Sequence, residues 1–466
     1  MTSKLKNDPQ PPPHPKKLKY LTTISIMLGN ITFGCAFNFY SPALEDIRIK
    51  YETDVDDIST VFTIMLVCYC AGALSSMIIY KYINRQLGVI ICLGGMAAGL
   101  FLTPHCPSKT LFFVVGGMLG YFVGSYDATQ VVWMIEIWQE KSGPFIQGQH
   151  FCYALGTNIP PLLLGPFLRG DVDEDDEDVT TTPMSQSESK MYIPFSIGGS
   201  LSAAACCIQV FLFIFYRYYK PPLYNNNNNN NDTYDDQNNN NESTNPTEPE
   251  ETFKKSKTSK TILDVVTSQK FKLVLVMGAF AGAYQGMEMC TLQFIPTFGQ
   301  YSAIDLSESS AASVLTGLTA AFAVGRFFGI FIILKVHPIV MLMVSLVIVF
   351  IGNTILFFWA GESVTMFWVA CCVVGLGFST IYASFSAFME KHIIFTDFVG
   401  GWMIVCGSSL AAIYPIIVGA SIEDDTVILS WVNYVSIGIC ASSLGIGWWL
   451  VSGNNNVKER TQKQRV

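Results

Sequence analysis

The chain has 466 residues, of which 50% are hydrophobic and 13% aromatic while only 14% are charged, with a formal net charge of -8. Soluble domains carry about 25% charged residues, so this balance, together with a positive mean hydropathy, excludes an ordinary water-soluble fold and points to a polytopic membrane protein.

The chain opens with a polar, proline-rich arm, MTSKLKNDPQPPPHPKKLK. The first apolar run follows it without a small-residue cleavage site, so that run reads as an uncleaved anchor. Apolar runs long enough to cross about 30 Å of hydrocarbon recur throughout. Twelve are predicted, near residues 20–40, 60–80, 87–103, 110–135, 147–168, 194–216, 271–298, 310–334, 338–360, 364–388, 396–420 and 428–451. With the amino terminus inside, 22 of the 28 Lys and Arg residues fall on the cytoplasmic side and five on the other, Arg326 being within a span. This asymmetry predicts cytoplasmic termini. The opposite loops are acidic, as in EDIRIKYETDVDD and GDVDEDDEDV. Asp173 to Asp178 lack EF-hand spacing and predict no metal site.

Between the sixth and seventh runs lies a stretch with two asparagine tracts and almost no apolar residues, which cannot bury a core and reads as a disordered cytoplasmic linker. Its two N-glycosylation sequons matter only in a lumenal loop. The expected fold is an all-α integral membrane protein, with twelve transmembrane helices in two six-helix bundles. The segments are a cytoplasmic arm at 1–19, a bundle at 20–217, the linker at 218–270, a bundle at 271–451 and a cytoplasmic tail at 452–466. A faint repeat supports two halves: Gly72, Ser76 and Lys81 at the end of the second span match Gly325, Gly329 and Lys335 at the end of the eighth. Nearly all of the 13 cysteines lie within spans, which argues for packing roles rather than disulfides.

Ionisable side chains in hydrocarbon are costly, about 2.5 to 3.5 kcal/mol at a helix centre on insertion scales, and therefore mark sites that face protein or water. The fourth span, GSYDATQVVWMIEIW from Gly124 to Trp138, carries Asp127 with Gln130 one turn later on the same face. Asp127 reads either as a structural pair or as a cation site, and Glu136 either as a gating group or as an end-of-helix carboxylate. The seventh span, AGAYQGMEMCTLQF, places Tyr284 and Gln285 four and three residues before Glu288, so a hydroxyl, an amide and a carboxylate share one face. That set suits a ligand covered in hydroxyls, or for Glu288 a coupling ion. The fifth span, QGQHFCYALGTNIPPLL, aligns Gln147, His150 and Asn158 on one stripe, His150 serving as a helix contact or in direct function. Asn30, Gly34 and Asn38 make a polar face in the first span, Ser379, Tyr382 and Ser386 in the tenth, and Trp402, Cys406 and Ser409 line the eleventh. Arg326 reads as a gate, and pairing with Asp127 or with Glu288 stays open. No phosphate-binding glycine loop, HExxH, CxxC or catalytic triad order is present, so an enzyme is not expected and uphill movement would draw on an ion gradient. The linker lacks the basic and aromatic interleaving of nucleic-acid binders.

The segments GSYDATQVVWMIEIWQEKSGPFIQGQHFCYALGTNIPPLLLGPFL, AYQGMEM and AVGRFFG resemble the sodium-dependent glucose transporter-like group of the major facilitator superfamily, relatives of bacterial fucose/proton symporters. By that resemblance Asp127, Glu136, His150, Glu288 and Arg326 match family positions. It implies sugar transport, cation-coupled in some members. Two departures stand out: Val131 replaces a frequent asparagine, and the loop YKYINRQLG lacks the aspartate and second glycine of the usual gating motif. The expected function is alternating-access transport of a monosaccharide or polyol. Asn38, Gln130, His150, Asn158, Tyr284, Gln285, Glu288 and Trp402 would bind substrate, with Asp127 and Glu288 as coupling-ion candidates and Arg326 and Glu136 as gates. Sodium or a proton would be the coupling ion, with no other cofactor. The partners expected are a sugar and the bilayer, for a monomer most at home in the plasma membrane. The alternatives are an uncoupled facilitator, a carrier of another small organic solute, and a membrane scaffold or receptor that moves nothing.

Overall fold

A computed structural model describes residues 16–80, 82–168, 190–217, 269–333, 335–392 and 397–463. The arm up to residue 15, the acidic run 173–178, Lys81 and most of the linker, for which the sequence sets expectations, lie outside the described residues.

The described chain is helical: α1 Lys16–Phe37, α2 Leu44–Lys50, α3 Val55–Ile79, α4 Arg85–Leu102, α5 Lys109–Trp138, α6 Gly143–Thr157, α7 Ile159–Leu164 and α8 Tyr192–Phe215 form the first half. The second half holds α9 Gln269–Tyr301, α10 Glu308–Ile332, α11 Pro338–Phe358, α12 Val364–His392, α13 Asp397–Gly419 and α14 Ile428–Lys463. Side-chain caps start several of them: Asn84 accepts from the Gln86 amide at 2.9 Å, Ser108 from Leu111 at 3.3 Å and Ser307 from Ser310 at 3.2 Å.

Among the described residues, 11 helices are long and apolar enough to cross a membrane. The expected fifth span is the exception, because it is divided at Asn158 into α6 and the short α7. The cause is local: Pro160 and Pro161 have no amide hydrogen to donate and their rings crowd the preceding turn. The polypeptide still crosses the bundle here as two stacked pieces.

The principal helix pairings of the first half have counterparts in the second. α1 packs on α6 as α9 packs on α13, α3 on α5 as α10 on α12, and α4 on α8 as α11 on α14. Glycines allow the closest of these approaches. A Cβ on Gly156 would overlap the Ile31 carbonyl, one on Gly34 the Tyr153 carbonyl, and one on Gly124 the Tyr69 carbonyl. The glycines of the sequence repeat sit in the same place in each half: Gly72 faces Tyr121 of α5, and Gly325 faces Ser379 of α12.

The halves meet through α3 against α13 and α6 against α10. We term the end of the bundle holding the start of α1 the near end, and the end holding α2 the far end. Far-side bonds join the halves: Ser41 donates to the Leu292 carbonyl at 2.6 Å, Tyr301 to Glu45 at 3.2 Å, the Val55 amide to Glu423 at 3.4 Å and Thr63 to the Ala412 carbonyl at 2.8 Å. On α2 the two Glu45 oxygens clasp Arg48 at 2.6 and 2.9 Å, a pairing that holds the guanidinium above its ordinary range despite partial burial.

Candidate functional site

Asp127 is half-buried on α5. Tyr69 of α3 donates to one of its oxygens, and Gln130 donates Nε2 to the other at 3.2 Å, as their one-turn separation requires. The Gln130 Oε1 in turn accepts from Asn30 Nδ2 of α1 at 2.9 Å and from Gln149 Nε2 of α6. Side chains of four first-half helices thus form one hydrogen-bond network that reaches the Asp127 carboxylate through Tyr69 and Gln130. The bonds it receives come from neutral donors.

Glu288 is the contrast. It is buried on α9, and Arg326 of α10 stands 3.7 Å away, with side-chain exposures of 5% and 9%, so both charges are withdrawn from solvent. Of the two pairings left open for Arg326, the structure contains this one. The guanidinium also donates to the His150 carbonyl of α6 at 2.9 Å, lies 4.1 Å from the Phe322 ring centroid and 5.6 Å from that of Tyr153. Arg326 thus joins a second-half carboxylate to a first-half backbone, on the near side of the far-end bonds.

A cavity opens beside it, lined by Gln147 and His150 of α6, Arg326 of α10, and Ser379, Thr380 and Tyr382 of α12. The His150 ring meets Tyr382 edge to face at 5.0 Å. Tyr382 is within electrostatic range of Asp127, Glu288 and Arg326, so both carboxylate clusters lie near its hydroxyl.

The remaining expected residues separate. Tyr284 is buried and donates to the Phe378 carbonyl at 3.2 Å, on the Glu288 side of α9. Gln285 does not share that side: its Oε1 lies against Gly407 of α13. A step of one residue turns a helix by about 100°, which the count of three and four residues to Glu288 had blurred. Trp402 packs on Gly278, ten residues before Glu288 on α9 and so about 15 Å away along the axis. Asn158 is engaged across the halves, giving Nδ2 to the Thr316 carbonyl at 2.9 Å and to Thr319 at 2.7 Å. Asn38, just past the end of α1, donates back to the Gly34 carbonyl at 2.9 Å and lies near Tyr153. Glu136 forms a 2.9 Å ion pair with Arg85 at the near end, which ties α5 to α4 within the first half. Arg85 belongs to the loop in which the usual gating aspartate is missing.

Three groups escaped the sequence reading. Tyr69, in VCYCAG, resembles any aromatic in an apolar helix. Gln149 falls between Gln147 and His150 but points to α5 instead of the cavity. The buried chain Thr291, Asn433 and Asn353, with bonds of 3.1 Å joining α9, α14 and α11, is built from isolated residues far apart in sequence. Each was visible only as one polar letter in an apolar run. Among the described residues no three His, Cys, Asp or Glu side chains converge to hold a metal ion.

Comparisons with known proteins agree with this architecture. The chain is 22% identical over 404 residues to sodium-dependent glucose transporter 1 of Danio rerio, an alignment covering 86% of this chain and 64% of that protein's length. It is 31% identical over 122 residues to the Xenopus laevis protein of the same name, covering 26% of this chain and 25% of the relative. Over 150 residues it is 23% identical to major facilitator superfamily domain-containing protein 4A of Xenopus tropicalis, covering 32% and 30%. The nucleoside transporter NupG has a similar fold, with a TM-score of 0.60 and 12% identity over 92% of this chain and 99% of that one. A family model described as Major Facilitator Superfamily matches residues 26–415, and the chain belongs to that superfamily.

Proposed function

We propose that this transporter moves a monosaccharide or related polyol by alternating access, coupled to a cation that binds at Asp127. The observation that carries the reading is the inequality of the two intramembrane acids. Glu288 has Arg326 at 3.7 Å and forms a neutral pair, whereas Asp127 is held by the uncharged donors Tyr69 and Gln130. An uncompensated carboxylate is costly at that depth, and a cation that neutralises it lowers the cost of passing the site across the bilayer.

Sugar recognition is assigned to the other side of the same region, with Tyr284, Glu288, Arg326 and His150 exchanging bonds with hydroxyls and Tyr382 offering an aromatic face. Asn158 joins them once the halves part and its bonds to α10 open. Sugar as cargo is supported by the polar lining and by the names of the Danio rerio and Xenopus laevis relatives. Arg326 gates the path, since it bonds both halves. The near end is assigned to the cytoplasm on the Lys and Arg asymmetry, with the plasma membrane as the compartment and the monomer as the working unit.

The test is uptake of radiolabelled glucose and fucose into proteoliposomes under sodium, proton and null gradients. Accumulation driven by one cation is expected. Equilibration that ignores both gradients would replace the coupled reading by a facilitator, and no movement of either sugar would remove the substrate class.

A further inference from the structure

We infer that the amides of Gln130 and Gln149 form a two-position relay that reports to α6 whether Asp127 holds a cation. The inference rests on the reading of Asp127 as the cation site.

The hydrogen-bond directions around Asp127 are all set by its negative charge. Because the carboxylate only accepts, Gln130 must present Nε2 to it at 3.2 Å, and this turns Oε1 toward Asn30 and Gln149. Gln149 answers with Nε2, which reaches both Gln130 Oε1 and the Gln130 carbonyl, the latter at 3.2 Å. The opposite setting would press the Gln149 oxygen against those two acceptors. Gln149 is fully buried, and the setting leaves its Oε1 without a partner in the protein. A buried acceptor left bare carries a desolvation cost that a donor would relieve.

A cation on Asp127 reverses the demand. A protonated carboxyl donates, and a sodium ion at the carboxylate attracts oxygen and repels an amide NH2, so either ion favours Gln130 turned with Oε1 toward Asp127. Its Nε2 then faces Gln149, whose bare Oε1 becomes the acceptor when that amide turns as well. The bond between the two amides survives in both positions, which makes the positions discrete. Two contacts turn unfavourable: Asn30 keeps its 2.9 Å bond to the Ile26 carbonyl but meets Gln130 Nε2 in place of Oε1, and Gln149 sets its oxygen against the Gln130 carbonyl it had bonded. The second change loosens α6 from α5. The residue after Gln149 is His150, whose carbonyl holds Arg326 and through it Glu288. Cation occupancy thereby alters how firmly the first half holds the segment that the second half grips. Among the described residues, the titratable groups facing Asp127 are the phenols of Tyr69, Tyr126, Tyr153 and Tyr382.

Gln149 is thus a positioning residue, and its removal separates sugar binding from cation binding. The experiment measures apparent sugar affinity of the purified full-length chain in nanodiscs across sodium concentration and pH, for wild type and Gln149→Met, with glucose and fucose as probes. Wild type is expected to show about a tenfold cation effect, within the usual range of site coupling. Gln149→Met, similar in length and without hydrogen-bonding groups, should bind sugar with less than about a twofold effect. Gln149→Ser serves if the methionine variant does not reach the membrane. A cation effect unchanged in the variant overturns the relay alone and leaves Asp127 as the cation site. Wild type indifferent to both cations overturns the coupled reading, and the relay falls with it. A loss of the sodium effect or of the pH effect alone names the ion.

Discussion

Replacing Arg326 by glutamine leaves Glu288 buried without its counter-charge, and replacing Glu288 by glutamine leaves a guanidinium that cannot shed its proton. At 3.7 Å the pair attraction is about 4.5 kcal/mol in an effective dielectric near 20. Much of that offsets the cost of desolvating both groups, but removing one partner exposes the full penalty of the other, about 3 to 5 kcal/mol. The two single variants should differ in kind. Glu288→Gln keeps the 2.9 Å bond from Arg326 to the His150 carbonyl and weakens only the second half, whereas Arg326→Gln also cuts the tie to α6. At roughly 2 °C per kcal/mol for a large domain, each single variant should melt about 6 to 10 °C below wild type in detergent. The double variant Glu288→Gln, Arg326→Gln should recover most of the loss, because no buried charge remains. Thermal unfolding of the four proteins in one buffer closes the cycle. Single variants that melt within about 2 °C of wild type, or a double variant as weak as the sum of the singles, would refute a buried pair as the determinant.

Asp127→Asn should abolish gradient-driven accumulation while sugar exchange between equal concentrations continues; loss of both activities with normal folding would move Asp127 into the sugar site. Gly156→Ala forces a methyl group onto the Ile31 carbonyl and should cost about 1 to 3 kcal/mol, read as lowered melting temperature and surface abundance. Tyr301→Phe removes a 3.2 Å bond to Glu45 between the halves, worth about 1 kcal/mol. It should speed the reaction of an impermeant thiol reagent with a cysteine at Gln293, the buried residue whose carbonyl also accepts from Ser41 at the far end (Gln293→Cys), about fivefold in a cysteine-depleted background, and an unchanged rate would remove Tyr301 from the far-end closure. Deleting residues 225–250 should leave uptake unaltered, and a transport defect at normal abundance would give the asparagine-rich segment a part in the cycle.

The positions of the crossing helices were legible because each segment must satisfy the hydrocarbon on its own, so length and apolarity are recorded in consecutive residues. Asp127 with Gln130 was legible for the same reason, since one helical turn brings them together whatever surrounds them. The break at Asn158 was less so: the paired prolines mark a bend, but only the folded chain turns the expected span into two helices and commits the asparagine amide to α10. The apparent triad of Tyr284, Gln285 and Glu288 shows the limit of spacing arguments. Three and four residues both approximate a turn, and the neighbours Phe378, Arg326 and Gly407 decide which side chains meet.

By itself the sequence determined a membrane-spanning helical protein and the polar residues its spans would have to shelter, because the cost of a polar group in lipid is local. Tertiary structure alone decided that Arg326 neutralises Glu288 while Asp127 receives neutral donors. That choice depends on how each helix is rotated about its axis, and rotation is set by contacts such as Gly34 on α6 and Gly124 on α3 between residues far apart in the chain.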